Sequence, residues 1–428
     1  MPDLRCNSFV RNWHGVAAVL MLTSVSSFSC SPNVAQLIGF GGAGSPDAKG
    51  YAASNLEVFD TAWKLVEERY YDPNHRAINW EQIRETYRQQ ADTASSEKSL
   101  YAILGSMMSV LEDGHTRVAS PEAVWRAEGH IDVGLGVRGK WVDDQFVIME
   151  VSPYSPAAIA GVKPGWILSK WEDFPFGQFV ERNAQYLIRE GETVKLDFLD
   201  AEDNEYTVRV TGRFFPRTDP QIARRLEGGM LYLRFDHFSD ESAEWFSNEL
   251  ARNHDAPGVI IDLRNNRGGQ LSALRQILRN FYRKNYTLGR EIHRDGGARA
   301  IRLAGMGRRA YQGSVVVLTD HSSQSAAEVL AAAMQESGRG VVVGRTTAGN
   351  VLVSHRKPLP DGGELRISTR DYVTAGGRRL EGRGVSPNVH VEPKLEDLRN
   401  QVDRDLDTAL SLLNYMVDVA SRRGGNGR

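Results

Sequence analysis

Cysteine is nearly absent from this sequence, with two in 428 residues. No disulfide framework can hold such a chain together, and no Cys/His cluster has the spacing of a zinc site. An excess of one charge is lacking too: 52 basic against 54 acidic side chains leave a net charge of -2. A nucleic-acid protein would normally show a basic balance or stripe, so nucleic acid is not an expected partner. No apolar run approaches the ~20 residues that cross a bilayer. What is present looks globular, with 41% hydrophobic and 25% charged residues, which excludes disorder throughout. At roughly 150 residues per domain, two or three folding units are expected. Composition leaves a soluble, multidomain protein with no implied metal and no implied organic cofactor.

At the amino terminus, Arg5, Arg11 and His14 precede a short apolar run from Gly15 to Leu22 and a Ser-rich stretch ending at Cys30. A basic region, a short apolar core and small residues beyond it form an export signal, expected over residues 1–30. Cys30 after Ser27-Phe28-Ser29 resembles a bacterial lipoprotein signal, although Leu is usual where Ser27 stands. Cys30 is therefore a candidate lipid anchor, the alternative being ordinary cleavage nearby. Residues 31–50, rich in Gly, Ser, Pro and Ala, read as a tether.

Residues 51–120 read as a helical domain: Ser54 and Glu57 make a capping-box pair, and Leu56, Phe59, Trp63, Val66 and Tyr70 recur at helical spacing. That aromatic stripe reads as core. Residues 131–213 carry short β-rich runs between Gly and Pro. Residues 220–394 alternate strand and helix, and their continuous Val/Ile/Leu runs point to strands covered on both faces. Residues 395–428 hold a last helical pattern, from Leu395 to about Val419, and a Gly/Arg tail expected to be disordered.

Four places hold chemistry-bearing residues. Thr319–Glu328 lies between a strand and a helix, where free N–H groups and the helix dipole favour developing negative charge. A serine there is either a nucleophile or a plain N-cap. Asp262-Leu263-Arg264-Asn265-Asn266-Arg267-Gly268-Gly269 runs from a strand into a Gly pair that permits close backbone approach, or is a simple turn. His115 is a candidate general base, although a lone His is normally structural. Glu381, in a Gly-rich turn, is by itself an ordinary surface residue.

Together these segments resemble the tail-specific, or C-terminal processing, peptidases and their tricorn-core relatives. Asp262–Gly269 is similar to the family's Asp-Leu-Arg-Asn-Asn-Pro-Gly-Gly. Ser323–Glu328 with Val341–Thr347 is similar to its nucleophile segment, and the motifs stand in the family's order from about residue 54 to 395. The resemblance implies an α/β multidomain fold: an N-terminal helical segment, a PDZ-like β-rich domain over 131–213 and a crotonase-like α/β catalytic core. It implies Ser325 as nucleophile, oxyanion donors at Ala326 and the Gly268-Gly269 turn, and Gly134-Leu135-Gly136-Val137 as the loop that holds a substrate's terminal carboxylate. Protein or peptide substrates and a location in the bacterial periplasm or cell envelope follow. Trp166 stands where such a PDZ domain usually has Asp, and Asn388 where the family usually has Asp.

One departure bears on mechanism. The bacterial processing peptidases use a Ser/Lys dyad, and the Lys position here is Asn350, which cannot act as a base near neutral pH. The tricorn-like branch uses Ser, His and Glu in segments resembling Asp113-Gly114-His115-Thr116 and Glu381-Gly382-Arg383-Gly384-Val385. The resemblance thus implies a Ser325, His115 and Glu381 triad, with Glu328 fixing the nucleophile and Asp113 shaping its loop. Two alternatives stand beside it: a non-catalytic carrier on the same scaffold, and a peptidase using His355 as base.

Overall fold

The computed structural model describes residues 53–182, 188–218 and 220–425. The expected export signal, Cys30 and the tether lie outside the described residues.

Helices span Asn55–Arg69, Trp80–Asp92 and Glu97–Ser109. The first begins where Ser54 Oγ accepts the Glu57 N–H at 3.1 Å, and Val58, Phe59, Ala62 and Val66 are its buried stripe. These helices do not close a core by themselves, because Leu365 and Ile367 from a distant sheet, with Leu359 from the turn beside it, complete it. That sheet is antiparallel and has five strands: Arg117–Ala119, Tyr286–His293, Ala298–Leu303, Val353–Pro358 and Glu364–Thr374. It ties the region around His115 to the rest of the chain. Its strands interleave charged and apolar residues, so no continuous apolar run announced them.

The β-rich region forms a sheet in the order Val137–Val142, Gln145–Val151, Ile167–Trp171, Thr193–Leu199 and Glu205–Thr211. It packs on its own core of Ile148, Leu168, Trp171, Leu196 and Phe198.

The α/β region over residues 220–394 holds a six-stranded sheet ordered Gln221–Arg225, Leu231–Phe235, Gly258–Asp262, Ser314–Thr319, Val341–Gly344 and Val389–His390. Its first pair is antiparallel and the others are parallel. Every residue of Gly258–Asp262 is buried, because helices cover both faces. Leu231, Leu233 and Phe235 face the helices Asp240–Arg252, Leu271–Arg279 and Ala326–Glu336, whereas Tyr232 faces the C-terminal helix. This is the period-two alternation of a strand.

The last helical pattern is not continuous. It breaks into Leu395–Arg399 and Arg404–Gly425, with Gln401 at φ 58° between them. Asp403 starts the second helix by accepting the Leu406 N–H at 3.1 Å, and it also pairs with Arg264 at 2.6 Å. That helix runs to Gly425, into the tail expected to be disordered.

Candidate active site

Ser325 sits at the entrance to the helix Ala326–Glu336 with φ 55° and ψ −115°, a conformation uncommon outside glycine. The surroundings over-determine it. The Ser325 N–H is shared between the Asn350 carbonyl at 2.8 Å and Glu328 Oε2 at 2.9 Å. Glu328 is wholly buried and also accepts from Thr347 Oγ1 at 2.6 Å, the Gly349 N–H at 2.7 Å and the Asn350 N–H at 2.9 Å. Burial pushes its carboxyl above the usual range, and these four donors oppose that shift. Ser323 adds a further tie, its hydroxyl donating to the Leu263 carbonyl at 2.8 Å.

The glycine pair lies directly against this turn. A Cβ on Gly268 would stand 2.7 Å from Ser325 Cβ and 2.9 Å from the Ala326 nitrogen, and one on Gly269 would stand 2.2 Å from the Phe238 carbonyl oxygen. Only glycine fits either position. The Gly268 N–H is already engaged, donating to Asn266 Oδ1 at 2.9 Å. Among the described residues the N–H groups of Gly269 and Ala326 donate to nothing else in the protein. Free N–H groups at a helix N-terminus are suited to a developing oxyanion.

His115 lies between the helix Glu97–Ser109 and the strand Arg117–Ala119. Asp113 shapes its loop, with Oδ1 accepting the His115 N–H at 2.8 Å and Oδ2 accepting from Thr116 Oγ1 at 2.5 Å. Arg76 clamps the approach by donating to the carbonyls of Leu111 at 3.0 Å and Glu112 at 2.5 Å. A Cβ on Gly114 would lie 2.7 Å from Asn350 Oδ1, so this loop rests on the residue whose carbonyl holds Ser325. On the other side, Glu381 Oε2 accepts the Val351 N–H at 2.9 Å.

Asn350 and Val351 are therefore the meeting point of Ser325, the His115 loop and Glu381. The three side chains are not joined by hydrogen bonds, and His115 Nδ1 is buried without a partner. Burial lowers the His115 pKa, with Asp113 opposing and Arg117 and Arg366 reinforcing the shift. Burial pushes Glu381 up to about 7. The Val351 N–H and the Arg379 charge pull the other way, and the charges of Asp113 and Asp371 add to the rise.

The peptidase family S41 model matches residues 229–391, and the tricorn protease C1 domain model matches residues 51–109. A carboxyl-terminal-processing protease of Picosynechococcus is 26% identical over 84% of this chain and 89% of its own length. The carboxy-terminal processing protease CtpB of Bacillus subtilis is also 26% identical, over 82% of this chain and 75% of its own. These matches support a C-terminal processing serine peptidase family. The fold agrees. A photosystem II D1 C-terminal processing protease superposes with TM-score 0.56 at 22% identity, covering 83% of this chain and 98% of that one. Mature CPAF complexed with lactacystin superposes with TM-score 0.65 at 13% identity, covering 87% and 99%.

In this serine-type peptidase the Asn350 carbonyl accepts the Ser325 N–H at 2.8 Å. His355 is exposed on the strand Val353–Pro358, its Nδ1 2.8 Å from Thr369 Oγ1. The two family departures have packing roles. Trp166 stacks on Tyr206 with ring centroids 4.6 Å apart, and Asn388 Oδ1 accepts the Val342 N–H at 2.9 Å. In the β-rich region the carbonyls of Leu135 and Gly136 accept from Ala157 at 3.0 Å and Ser152 at 2.8 Å. Among the described residues the N–H groups of Leu135 and Gly136 have no such partner. Gly136 is obligatory, because a Cβ there would lie 2.1 Å from Ser155 Cβ.

Sequence reasoning missed the ionic seam between this β-rich region and the loops that hold Asp236 and Asp320. Arg138 pairs with Asp236 at 2.6 Å, and Lys140 approaches Asp320 at 3.4 Å. Asp320 in turn accepts the N–H groups of Ser322 at 3.0 Å and Asn265 at 3.2 Å. No local pattern marks such pairs, since their partners come from separate domains. Among the described residues no group of three or more His, Cys, Asp or Glu side chains could hold a metal ion.

Proposed function

We propose that this peptidase hydrolyses peptide bonds of proteins or peptides through Ser325, His115 and Glu381. The observation that carries the reading is the convergence of all three on Asn350 and Val351. Ser325 Oγ attacks the carbonyl carbon while its proton passes to the His115 imidazole. The oxyanion rests on the N–H groups of Ala326 and the Gly268-Gly269 turn, where Gly269 supplies the free donor. Each donor of this kind is typically worth ~3 kcal/mol of barrier. The C–N bond then breaks, His115 protonates the departing amine, and water hydrolyses the acyl-enzyme by the same proton route. Glu381, ionised, orients the imidazole and stabilises its cation. Joining His115 to both partners is a step that accompanies substrate binding.

We read the β-rich region as a PDZ domain that captures substrate, and the region around the parallel strands as a crotonase-like core. The free N–H groups of Leu135 and Gly136 support carboxylate capture, and Val137–Val142 is an edge strand to which an extended peptide can add. The basic and apolar residues before Cys30 support export to the periplasm or cell envelope, with Cys30 as lipid anchor.

A fluorophosphonate probe tests the reading. Labelling of wild type that disappears in Ser325→Ala and His115→Ala but persists in His355→Ala supports it. A folded wild type that resists labelling and also leaves an unfolded protein substrate intact would instead favour a carrier on this scaffold, as the unjoined triad allows.

A further inference from the structure

Like charges directly opposite one another on paired strands repel, so a row of them without counter-ions calls for an explanation. In the antiparallel sheet Arg117 stands opposite Arg366, and Arg366 stands opposite Arg356, which sets three arginines side by side on adjacent strands. Directly opposed residues project from one face of a sheet. The alternate residues Val118, Leu365 and Ile367 pack into the helical core, so the arginines project from the other face. Among the described residues one carboxylate is in reach, Glu364 Oε1 at 3.6 Å from Arg356 Nε. The side chains of Arg117 and Arg366 make no hydrogen bond or ion pair among the described residues. The arginines that follow in the chain are compensated, Arg370 by Glu291 at 2.9 Å and Arg379 by Asp371 at 2.6 Å.

The row is rooted in the candidate site through two of its strands. Arg117 follows His115 by two residues, about 7 Å along an extended chain. Arg356 lies on the strand Val353–Pro358, which runs on directly from Asn350 and Val351. Arg267, next to the glycine pair on the nucleophile side, is exposed, and its side chain is likewise unpartnered among the described residues. Arg117 and Arg356 are exposed and Arg366 is half-buried, so a ligand can reach all three. Burial, reinforced by the charges of Arg117 and Arg356 and opposed by Glu364, pushes the Arg366 guanidinium down to about 10, which still leaves it charged near neutral pH. Such a cluster is matched by an anion with a planar, forked shape, and a carboxylate has that shape.

We propose that Arg117, Arg366 and Arg356 form a subsite for an acidic side chain, so that this peptidase prefers substrates carrying Asp or Glu within about three residues of the cleaved bond. The inference deepens the triad reading above and rests on it for the position of that bond. A polypeptide offers two kinds of carboxylate, its terminus and its acidic side chains. The terminus is the ligand of the Gly134–Val137 loop in the reading above, which leaves the side chains for the arginine row. One carboxylate has two oxygens and can accept from two neighbouring guanidiniums at once, relieving their repulsion and adding charge-assisted hydrogen bonds.

The test walks a single Glu through a short neutral host peptide, each member paired with its Gln counterpart and made with free and with amidated C-termini. Fluorescence anisotropy on the full chain carrying Ser325→Ala reads binding without turnover, and kcat/KM on wild type reads cleavage. At one or two positions Glu is expected to outperform Gln by roughly tenfold or more in both, with a gain that shrinks as salt rises and survives amidation. In Arg117→Gln, and in Arg356→Gln at the exposed end of the row, the ratio of Glu to Gln should fall toward one. That ratio is internal to each protein, so a general loss of stability does not imitate the effect. Equal Kd values and equal rates for Glu and Gln at every position overturn the proposal and leave the triad reading standing. A preference that vanishes on amidation also overturns it, since the row would then hold a chain terminus. A Glu preference in binding, with no cleavage and no serine labelling in wild type, would remove the triad reading and leave the subsite.

Discussion

The two halves of the site are built differently. Around Ser325, Glu328 collects four donors, and the glycine pair abuts a serine held at positive φ. Around His115 and Glu381 the loops are equally well tied, but His115 Nδ1 is buried without a partner and Glu381 is held only by the Val351 N–H. The Ser325 turn is thus fixed by hydrogen bonds, whereas the buried side chains of His115 and Glu381 are not joined to each other or to it. A fully bonded half needs no reorganisation in the reaction. A half with unsatisfied groups gains on closing, so it is the part that substrate can switch.

The largest way to break this comparison is Ser325→Ala, which should lower kcat by about 10⁴-fold or more in a protease assay, with Tm nearly unchanged. If Tm fell by many degrees instead, Ser325 would be serving the fold. Glu328→Gln should be next, and it acts through stability. A buried acceptor of four donors is lost, and a drop of roughly 2–4 kcal/mol is expected in denaturant titration, with slower probe labelling.

Glu381→Gln should do the opposite. The raised Glu381 pKa means that the folded state holds a proton that the unfolded state has released, between about pH 4.5 and about 7. Folding stability therefore falls as pH rises through that window, by at most roughly 3 kcal/mol. Glu381→Gln should remove this slope and be more stable than wild type at pH 8, while losing activity. His115, whose pKa is lowered, works in the other sense: its contribution is lost as pH falls below about 6.5. The smallest effect is expected from Lys140→Met. Its ion pair with the buried Asp320 is 3.4 Å long, and Asp320 keeps the N–H groups of Ser322 and Asn265 when the lysine is removed, so stability should change by roughly 1–2 kcal/mol. A large loss of labelling in that variant would show that the ionic seam governs the nucleophile turn.

Much of the fold was legible because it rests on local pattern. Continuous runs such as Val259-Ile260-Ile261 become strands covered on both faces, and the capped stripe from Ser54 to Val66 becomes a helix. The antiparallel sheet was not legible. Its long strand Glu364–Thr374 mixes Arg, Ser, Thr and Asp with apolar residues, and pairs with strands far away in sequence. The site divides in the same way. Ser325 and the glycine pair stand in recognisable segments, and the residue types at 115, 350 and 381 pointed to His and Glu in place of Lys. Tyr70, read as core from its helical stripe, is indeed buried among the helices.

The sequence by itself determined the capped helices, the continuous apolar strands and which residue types are present to do chemistry, since propensity, capping and periodicity act over a few residues. Only the tertiary structure decided that Asn350 and Val351 lie against Ser325, the His115 loop and Glu381, and that burial pushes the Glu381 carboxyl up to about 7. Those outcomes depend on burial and on contacts between segments hundreds of residues apart, and desolvation acts only once the chain has closed around a group.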